Sequence, residues 1–289
     1  MPRIEVIVPV RNEEQSIPVF LEHVAALRFP NGVDLRVVFV EDSSTDGTRP
    51  LLQRLARDNP AVGYYALARG FGQGAAVSFG LSRSTAEAVI MMDVDGSHPI
   101  DVLPQMVREF LGGARVVQCV RRTSADRKGY RQLGATLFHL VARVLTGVDT
   151  TEQNIFFRLA SADVVRELMR HPRCWRYLRF PLPRHPEGAL RKIEVDTQER
   201  ALGESKYGFR RLVDLAVEGT LSQMPATRFV ALMVVVALIA MVAALTGWWP
   251  LAIPIALAGV WVVYRYRCLY DPDLLRRMQV VECGNVSGQ

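Results

Sequence analysis

Two carboxylates set two residues apart mark the chemistry this chain can do. Met91-Met92-Asp93-Val94-Asp95-Gly96 closes an apolar run and puts Asp93 and Asp95 at its exit. Carboxylates emerging from a buried strand are costly without a counter-charge. A hard divalent cation supplies one through oxygen ligands, and it can neutralise a diphosphate in turn. The spacing lets a turning backbone aim both groups at one metal, or one at a metal and one at a sugar hydroxyl. The alternative is an Asx turn with both groups solvated.

Two further acidic clusters follow apolar runs. Pro9-Val10-Arg11-Asn12-Glu13-Glu14 comes after the first, and Glu41-Asp42-Ser43-Ser44-Thr45-Asp46-Gly47-Thr48 after the second. Such residues can accept hydrogen bonds from a base or a ribose, although Asp46-Gly47 reads equally as a turn with a helix cap. Cations gather in two places. Arg121 and Arg122 end the fifth run, with Arg127, Lys128 and Arg131 after them, while Arg200 and Lys206 bracket Gly203 and Ser205. Guanidinium forks match phosphate oxygens, and an ammonium acts as a point charge. The second cluster reads as a phosphate-cradling loop. The first reads as phosphate contacts, a solvated basic surface or an attraction to anionic lipid.

The elements that must carry these groups are legible in the hydrophobic pattern. β-branched runs at Ile4–Val10, Leu35–Val40, Val62–Leu67, Ala88–Met92 and Val116–Val120 alternate with helix-like stretches at Glu13–Leu27, Thr48–Arg57, Gly74–Ser82 and Ile100–Leu111. Strand–helix alternation predicts an α/β fold with a mostly parallel sheet covered by helices. Ligands then bind at the carboxyl ends of the strands, where the acidic clusters fall. The C-terminal part is different. From Phe229 to Tyr264 there is no Asp, Glu, Lys, Arg or His, and Thr246-Gly-Trp-Trp-Pro250 breaks the run. A single helix of that length would overshoot a hydrocarbon core of ~30 Å, so the pattern predicts two membrane spans with a tight hairpin. Arg210, Arg211 and Arg228 before it, and Arg265, Arg267, Arg276 and Arg277 after it, put both termini on the cytoplasmic side. A soluble buried hairpin and a re-entrant second span are the alternatives. Phe209, Leu212, Val213, Ala216 and Val217 recur at helical spacing, as in a helix lying on the membrane surface or packed on its own core.

Composition fits this division. The mean hydropathy of +0.12 and 49% hydrophobic residues exclude a disordered chain. The 35 Lys and Arg against 29 Asp and Glu give +6, an excess that suggests an anionic partner. Cys119, Cys174, Cys268 and Cys283 are scattered without a Cys-x-x-Cys pair, which argues for reduced thiols rather than a disulfide framework or zinc site. The chain opens directly on a strand pattern, with no signal-peptide layout.

Ile7-Val-Pro-Val-Arg-Asn-Glu-Glu14, Val40-Glu-Asp-Ser-Ser-Thr-Asp-Gly-Thr48, Met92-Asp-Val-Asp-Gly-Ser-His-Pro99 and Arg200 with Gly203-Glu-Ser-Lys-Tyr207 together resemble family 2 glycosyltransferases of the GT-A fold. Within that family they are most similar to the dolichol-phosphate mannose synthase and polyprenyl-phosphate glycosyltransferase (GtrB-like) branch, over about residues 1–265. The resemblance implies a glycosyltransferase domain at 1–208, an amphipathic interface helix at 209–227, a two-span transmembrane hairpin at 228–266 and a cytoplasmic tail at 267–289. It implies inverting transfer of a sugar, mannose or glucose, from GDP-mannose or a UDP-sugar to polyprenyl phosphate in the cell membrane, with Mg²⁺ or Mn²⁺. The product would be a lipid-linked donor for cell-envelope glycan or protein glycosylation. By position, Pro9, Arg11, Glu13, Val40 and Asp42 would line the nucleotide. Asp93 and Asp95 would hold the metal, Asp95 in a catalytic role, with Val94 and Ser97 beside the diphosphate. Arg121, Arg200 and Lys206 would act on the phosphates of donor or acceptor, and Arg131 would join them. Ser97-His98-Pro99 leans towards the mannose synthase branch.

Two departures stand out. Gln73, in Arg69-Gly-Phe-Gly-Gln-Gly74, replaces a lysine frequent in the family. The carboxylate often found before Phe-Arg-Leu has no clean match, Glu152 and Gln153 being nearest. A processive polysaccharide synthase is disfavoured because Gln153, Gln198 and Gln223 do not begin a Gln-x-x-Arg-Trp motif. A non-catalytic membrane scaffold stays as the alternative of another class. Nucleic acid is not expected, since basic and aromatic residues are not interleaved. A homo-oligomer is compatible with the sequence.

Overall fold

The computed structural model describes residues 1–122, 140, 143–146, 154–170, 189–196, 217, 220–221, 224, 226–269 and 278–286. Arg127, Lys128, Arg131, Glu152, Gln153, Arg200 and Lys206 lie outside them.

The N-terminal half alternates as the hydrophobic pattern predicts. The order is β1 (Arg3–Val10), α1 (Ser16–Ala26), β2 (Asp34–Glu41), α2 (Thr48–Asp58), β3 (Val62–Leu67), α3 (Gln73–Arg83), β4 (Ala88–Met91), a 3₁₀ turn (Ile100–Val102), α4 (Leu103–Leu111) and β5 (Val116–Arg121). Then come β6 (Asn154–Ser161), α5 (Ala162–Arg170) and β7 (Leu190–Val195). Two long helices, α6 (Ala226–Leu245) and α7 (Trp249–Leu269), precede β8 (Val280–Gly284).

The strands form one sheet in the order β7-β5-β6-β4-β1-β2-β3-β8. β1 pairs parallel with β2 and β4, and β2 with β3, while β6 runs antiparallel to both β4 and β5. Side chains alternate across the pleat. On one face, Ile4, Val6 and Val8 of β1 bury against Ile17 and Phe20 of α1, Leu52 of α2 and Met106 of α4. On the other, Ile7, Val40 and Met91 bury against Val77 and Phe79 of α3 and Val164 of α5. α3 sits close because of Gly80, where a Cβ would come within 2.6 Å of Ile7 Cγ2. The result is a sheet between two helical layers. Strand order reverses beside β1: the chain runs outward through β2 and β3, then returns to β4 on the other side. That reversal leaves a crevice at the carboxyl ends of β1 and β4.

α6 and α7 are joined by a turn at Gly247, with φ of +81°, and pack as a hairpin whose open end is closed by Phe229 stacked on Tyr266, 3.7 Å between ring centroids. Val234, Leu238, Met241 and Val242 of α6 and Ile253, Leu257 and Val260 of α7 are exposed. Among the described residues, α6 is long and apolar enough to cross a membrane; the apolar stretch of α7, Pro250–Tyr266, is shorter and contains Pro254. The expected interface helix falls largely outside the described residues. From it, Leu221 and Met224 bury against Phe229.

The segment expected as a cytoplasmic tail departs from that reading. Residues 280–284 add to the sheet as β8, antiparallel to β3, with Tyr64 opposite Gly284 and Ala66 opposite Glu282. Two glycines allow it: a Cβ on Gly63 would meet the Asn285 carbonyl oxygen at 2.5 Å, and one on Gly284 would meet Tyr64 Cε1 at 2.8 Å. Glu282 accepts hydrogen bonds from the Tyr64 hydroxyl at 2.6 Å and from Gln53 Nε2 at 2.7 Å. The Tyr64 bond, opposed by partial burial, holds the Glu282 carboxyl below its ordinary value. Met278 is buried in the core under α3. Glu282→Ala should therefore lower stability by about 1–3 kcal/mol, because it orphans a buried hydroxyl. The expected drop in melting temperature is several degrees, with Glu282→Gln falling between the two.

Candidate active site

The crevice is built from the turns that leave β1, β2 and β4. Pro9 fits into β1 without loss. It lies opposite Val40 on the β2 side, but β4 has already ended on the other side, its last pair being Ile7 with Met91. The carbonyl of Ile7 takes the Met92 N–H at 3.4 Å, so position 9 faces the β4 side as well. Proline's missing N–H falls where no partner strand remains.

The first two turns are stitched together across more than thirty residues of chain. Asn12, in a left-handed conformation, accepts the Thr45 N–H at 2.8 Å and donates its own N–H to Ser44 Oγ at 3.1 Å. Glu13 N–H donates to Thr48 Oγ1 at 2.9 Å, and Gly47 N–H to Glu14 Oε2 at 2.9 Å. Asp46 accepts the Thr48 N–H at 3.0 Å and its hydroxyl at 2.6 Å. Partial burial works against ionisation of Asp46, but these bonds and the Glu14 N–H outweigh it and hold the carboxyl below its ordinary value. The turn-and-cap reading of Asp46-Gly47 describes this geometry.

Three carboxylates that look alike in sequence have separate tasks. Glu41 is fully buried and receives Arg49 Nε at 2.9 Å and Nη2 at 2.7 Å, plus a short bond from the Ser44 N–H. Asp42, also buried, accepts the Phe71 N–H at 2.6 Å on one oxygen and the Gly72 N–H at 2.8 Å on the other. Expected as a nucleotide contact, Asp42 is a staple for the loop ahead of α3. Arg11 joins the same loop, its Nη1 close to Gly70. Glu13 faces the crevice. Burial raises its carboxyl most, then Asp95, Asp46 and Asp93, against a hydrogen bond from Ser16 Oγ at 2.6 Å.

After β4 the chain makes a compact turn. Asp95 Oδ1 accepts the Ser97 N–H at 3.0 Å, and Gly96 has φ of +75°. The Asx turn considered from sequence is therefore present, and it leaves both aspartates facing Glu13 across the crevice rather than dispersed in solvent. Gln73 Nε2 makes a short bond to Asp93 Oδ1, and the Asp93 N–H donates to His98 Nδ1 at 3.0 Å. Val40 and Val94 put their side chains into the core, so backbone alone remains to them as a ligand surface. Arg121 is exposed at the end of β5. Arg122 instead lies against Glu194 and Asp196 near β7. Beneath the turn, Arg158 of β6 is fully buried in register with Met91, and burial lowers its guanidinium to about 10. Glu41 and Gln73 stood in motifs without assigned roles; Glu41 is held by Arg49 and Ser44 nearby in the chain, and Gln73 reaches Asp93 twenty residues on.

The donor set fits a hard divalent cation. Among the described residues no three His, Cys, Asp or Glu side chains converge as a full ligand cage. A cation of the Mg²⁺ type needs only one or two carboxylates, with phosphates and water completing its shell. Burial is the main cause of the raised Glu13 carboxyl, and such a cation would relieve the smaller repulsion from Asp95, Asp46 and Asp93. Because the native state holds the Glu13 proton more tightly than the unfolded chain, metal-free stability should fall as pH rises from 4.5 through the raised value. Glu13→Gln should remove that decline, raise the metal-free melting temperature by about 1–2 °C near neutral pH, and shrink the stabilisation gained on adding Mn²⁺ with UDP.

Residues 5–185 match the family model described as glycosyl transferase family 2. A prophage bactoprenol glucosyl transferase homolog of Escherichia coli K12 is 30% identical over 76% of this chain and 72% of its own length. The bactoprenol glucosyl transferase of Shigella phage SfX is 32% identical over 76% of this chain and 72% of its own. The undecaprenyl-phosphate 4-deoxy-4-formamido-L-arabinose transferase of Pseudomonas aeruginosa PAO1 is 32% identical over 73% of this chain and 62% of its own. Among solved structures, glucosyl-3-phosphoglycerate synthase from Mycobacterium tuberculosis, crystallised with Mn²⁺, UDP and its product, has the same fold: TM-score 0.51, 15% identity, covering 76% of this chain and 78% of that one. The strand-end acidic turns, the GT-A α/β architecture and these matches agree, and the chain belongs to glycosyl transferase family 2.

Proposed function

We propose that this enzyme transfers a sugar from a nucleotide-sugar to polyprenyl phosphate at the cytoplasmic face of the cell membrane. The carrying observation is the pair Asp93 and Asp95 on one Asx turn at the mouth of the crevice, with Glu13 near enough to feel their charge, in a chain that also bears an apolar helical hairpin. The named relatives support the acceptor more strongly than the donor. One set is named for glucose and the other for a formamido-arabinose, while both names specify a polyprenol. UDP-sugars and GDP-mannose are both donors to test.

The acceptor phosphate monoester is largely dianionic at pH 7, so it is already a nucleophile. Its oxygen forms the new bond to the anomeric carbon as the bond to the nucleotide diphosphate breaks, in one inverting displacement. A strong general base is unnecessary, so the reaction does not depend on a clean match to the family carboxylate, to which Glu152 and Gln153 are nearest. Asp93 and Asp95 would hold Mg²⁺ or Mn²⁺, which when bound neutralises the departing diphosphate. Ser97 and the Val94 backbone border that position; Pro9, Arg11, Glu13 and the Asp42-stapled loop line the nucleotide. Arg121, Arg131, Arg200 and Lys206 screen and orient the acceptor phosphate, so that two anions can approach.

Two membrane crossings are favoured over one by β8. α6 leaves the catalytic domain and the chain re-enters the sheet of that domain after α7. If α6 crosses the bilayer, α7 must bring the chain back. At ~1.5 Å per residue the apolar stretch of α7, Pro250–Tyr266, reaches about 25 Å, so it would cross a ~30 Å core with the help of its flanking Trp249 and arginine residues. Arginines flanking the open end of the hairpin put that end in the cytoplasm.

Membranes containing the protein, incubated with polyprenyl phosphate, Mg²⁺ or Mn²⁺ and a panel of labelled nucleotide-sugars, should form one lipid-linked sugar of inverted configuration. Chelation should abolish the product, and Asp95→Asn should lower kcat/KM by at least about 10²-fold. Absence of product from every donor, or full activity in Asp93→Ala and Asp95→Ala, would support the scaffold reading instead. A covalent glycosyl-enzyme would overturn the single displacement.

A further inference from the structure

His98 is buried at the edge of the crevice, and its contacts give it a task. Its ring lies flat on Phe157 of β6, with 5.2 Å between centroids and 13° between planes. Phe157 is itself fully buried, so the stack ties the imidazole to the main core. The edge of the ring presents Nδ1 to the Asp93 N–H at 3.0 Å. An N–H can donate only to an unprotonated nitrogen, so the proton of the neutral ring sits on Nε2.

The position of that bond matters. Met92 is the last residue whose N–H reaches β1, through the Ile7 carbonyl. At Asp93 the chain leaves the sheet, and the next backbone N–H has no ladder partner there. A partly buried N–H left unpaired is costly. His98, five residues on, takes it and closes the turn that contains Asp93, Asp95 and Ser97. Asp93 is then fixed at both ends, its N–H by His98 and its carboxylate by Gln73.

We propose that His98 is a positioning residue: its core-anchored Nδ1 holds the Asp93 backbone and thereby aims the Asp93 and Asp95 carboxylates at the divalent cation of a bound nucleoside diphosphate. This rests on the metal-dependent reading given above. His98 does not touch the reacting atoms. It converts the rigidity of the β6 stack into the direction of a turn that has left the sheet.

The test uses full-length protein in detergent micelles as wild type, His98→Asn, His98→Gln and His98→Phe. Asparagine carries an acceptor oxygen on Cγ, where histidine carries Nδ1. Glutamine moves its acceptor one bond further out, and phenylalanine keeps the ring without any acceptor. Three quantities are read: Mn²⁺ affinity in the presence of UDP by electron paramagnetic resonance, amide exchange over residues 91–98, and melting temperature. His98→Phe and His98→Gln should exchange faster at 91–98 and bind Mn²⁺ at least about tenfold more weakly, the usual scale for groups that orient metal ligands. His98→Asn should stay within about threefold of wild type. Equal Mn²⁺ affinity in wild type and a folded His98→Gln or His98→Phe overturns the positioning role, and so does a His98→Asn as weak as they are. Wild type that binds no Mn²⁺ with UDP overturns the metal-dependent reading itself, and the positioning role with it.

Discussion

The constraint behind this site is the cost of gathering carboxylates at the buried ends of parallel strands. Glu13, Glu14, Glu41, Asp42, Asp46, Asp93 and Asp95 all fall there. A carboxylate taken from water needs a cation or several N–H donors. The fold supplies these selectively. Glu41 has Arg49, Asp42 has the Phe71 and Gly72 N–H groups, and Asp46 has Thr48. Those three are bound into the framework and tie β2 to the loop before α3 and to α2. The Glu13 carboxyl stays raised, chiefly by its own burial and then by the charges of Asp95, Asp46 and Asp93. The framework acids thus hold the turns that carry Glu13, Asp93 and Asp95, and a divalent cation is a species that would offset the charge gathered there.

The C-terminal strand changes how catalytic domain and helical hairpin belong together. A tail would leave the hairpin attached at one end. With β8 beside β3, the chain on both sides of the α6–α7 hairpin belongs to one sheet. The Gln279 carbonyl takes the Ala68 N–H at 3.0 Å, immediately before Arg69-Gly70-Phe71-Gly72, the loop stapled by Asp42. One covalent and hydrogen-bonded path therefore runs from the hairpin to the edge of the crevice.

Much of this was legible in the sequence, because its signals are local. The five N-terminal strand patterns match β1 to β5 to within two residues, since β-branched runs between polar helices have few alternatives. Asp93 and Asp95 stood out by spacing, and the uncharged stretch by its length. What was not legible depends on partners distant in sequence. Nothing near Asp42 announces that its carboxylate belongs to the backbone of Phe71 and Gly72. β8 was hidden because Val280–Gly284 is short, and its case rests on Tyr64, Gln53 and Gly63 more than two hundred residues earlier. Val40 and Val94 were assigned to the nucleotide by position in a motif, yet alternation in a buried strand and burial beneath a turn send both side chains into the core.

Gln73 shows how a departure from a motif can be read physically. The family resemblance raised the expectation of lysine at this position, the first residue of α3. An ammonium at that point would bond Asp93 and also cancel a unit of the negative charge in the crevice. The amide of Gln73 bonds the same Asp93 oxygen and carries no charge. Orientation is kept while the electrostatic field is not reduced. Position 73 therefore orients Asp93 without adding an ammonium of its own beside it. The stapled loop ahead of Gln73, held by Asp42 through the Phe71 and Gly72 N–H groups, keeps the amide where it is needed.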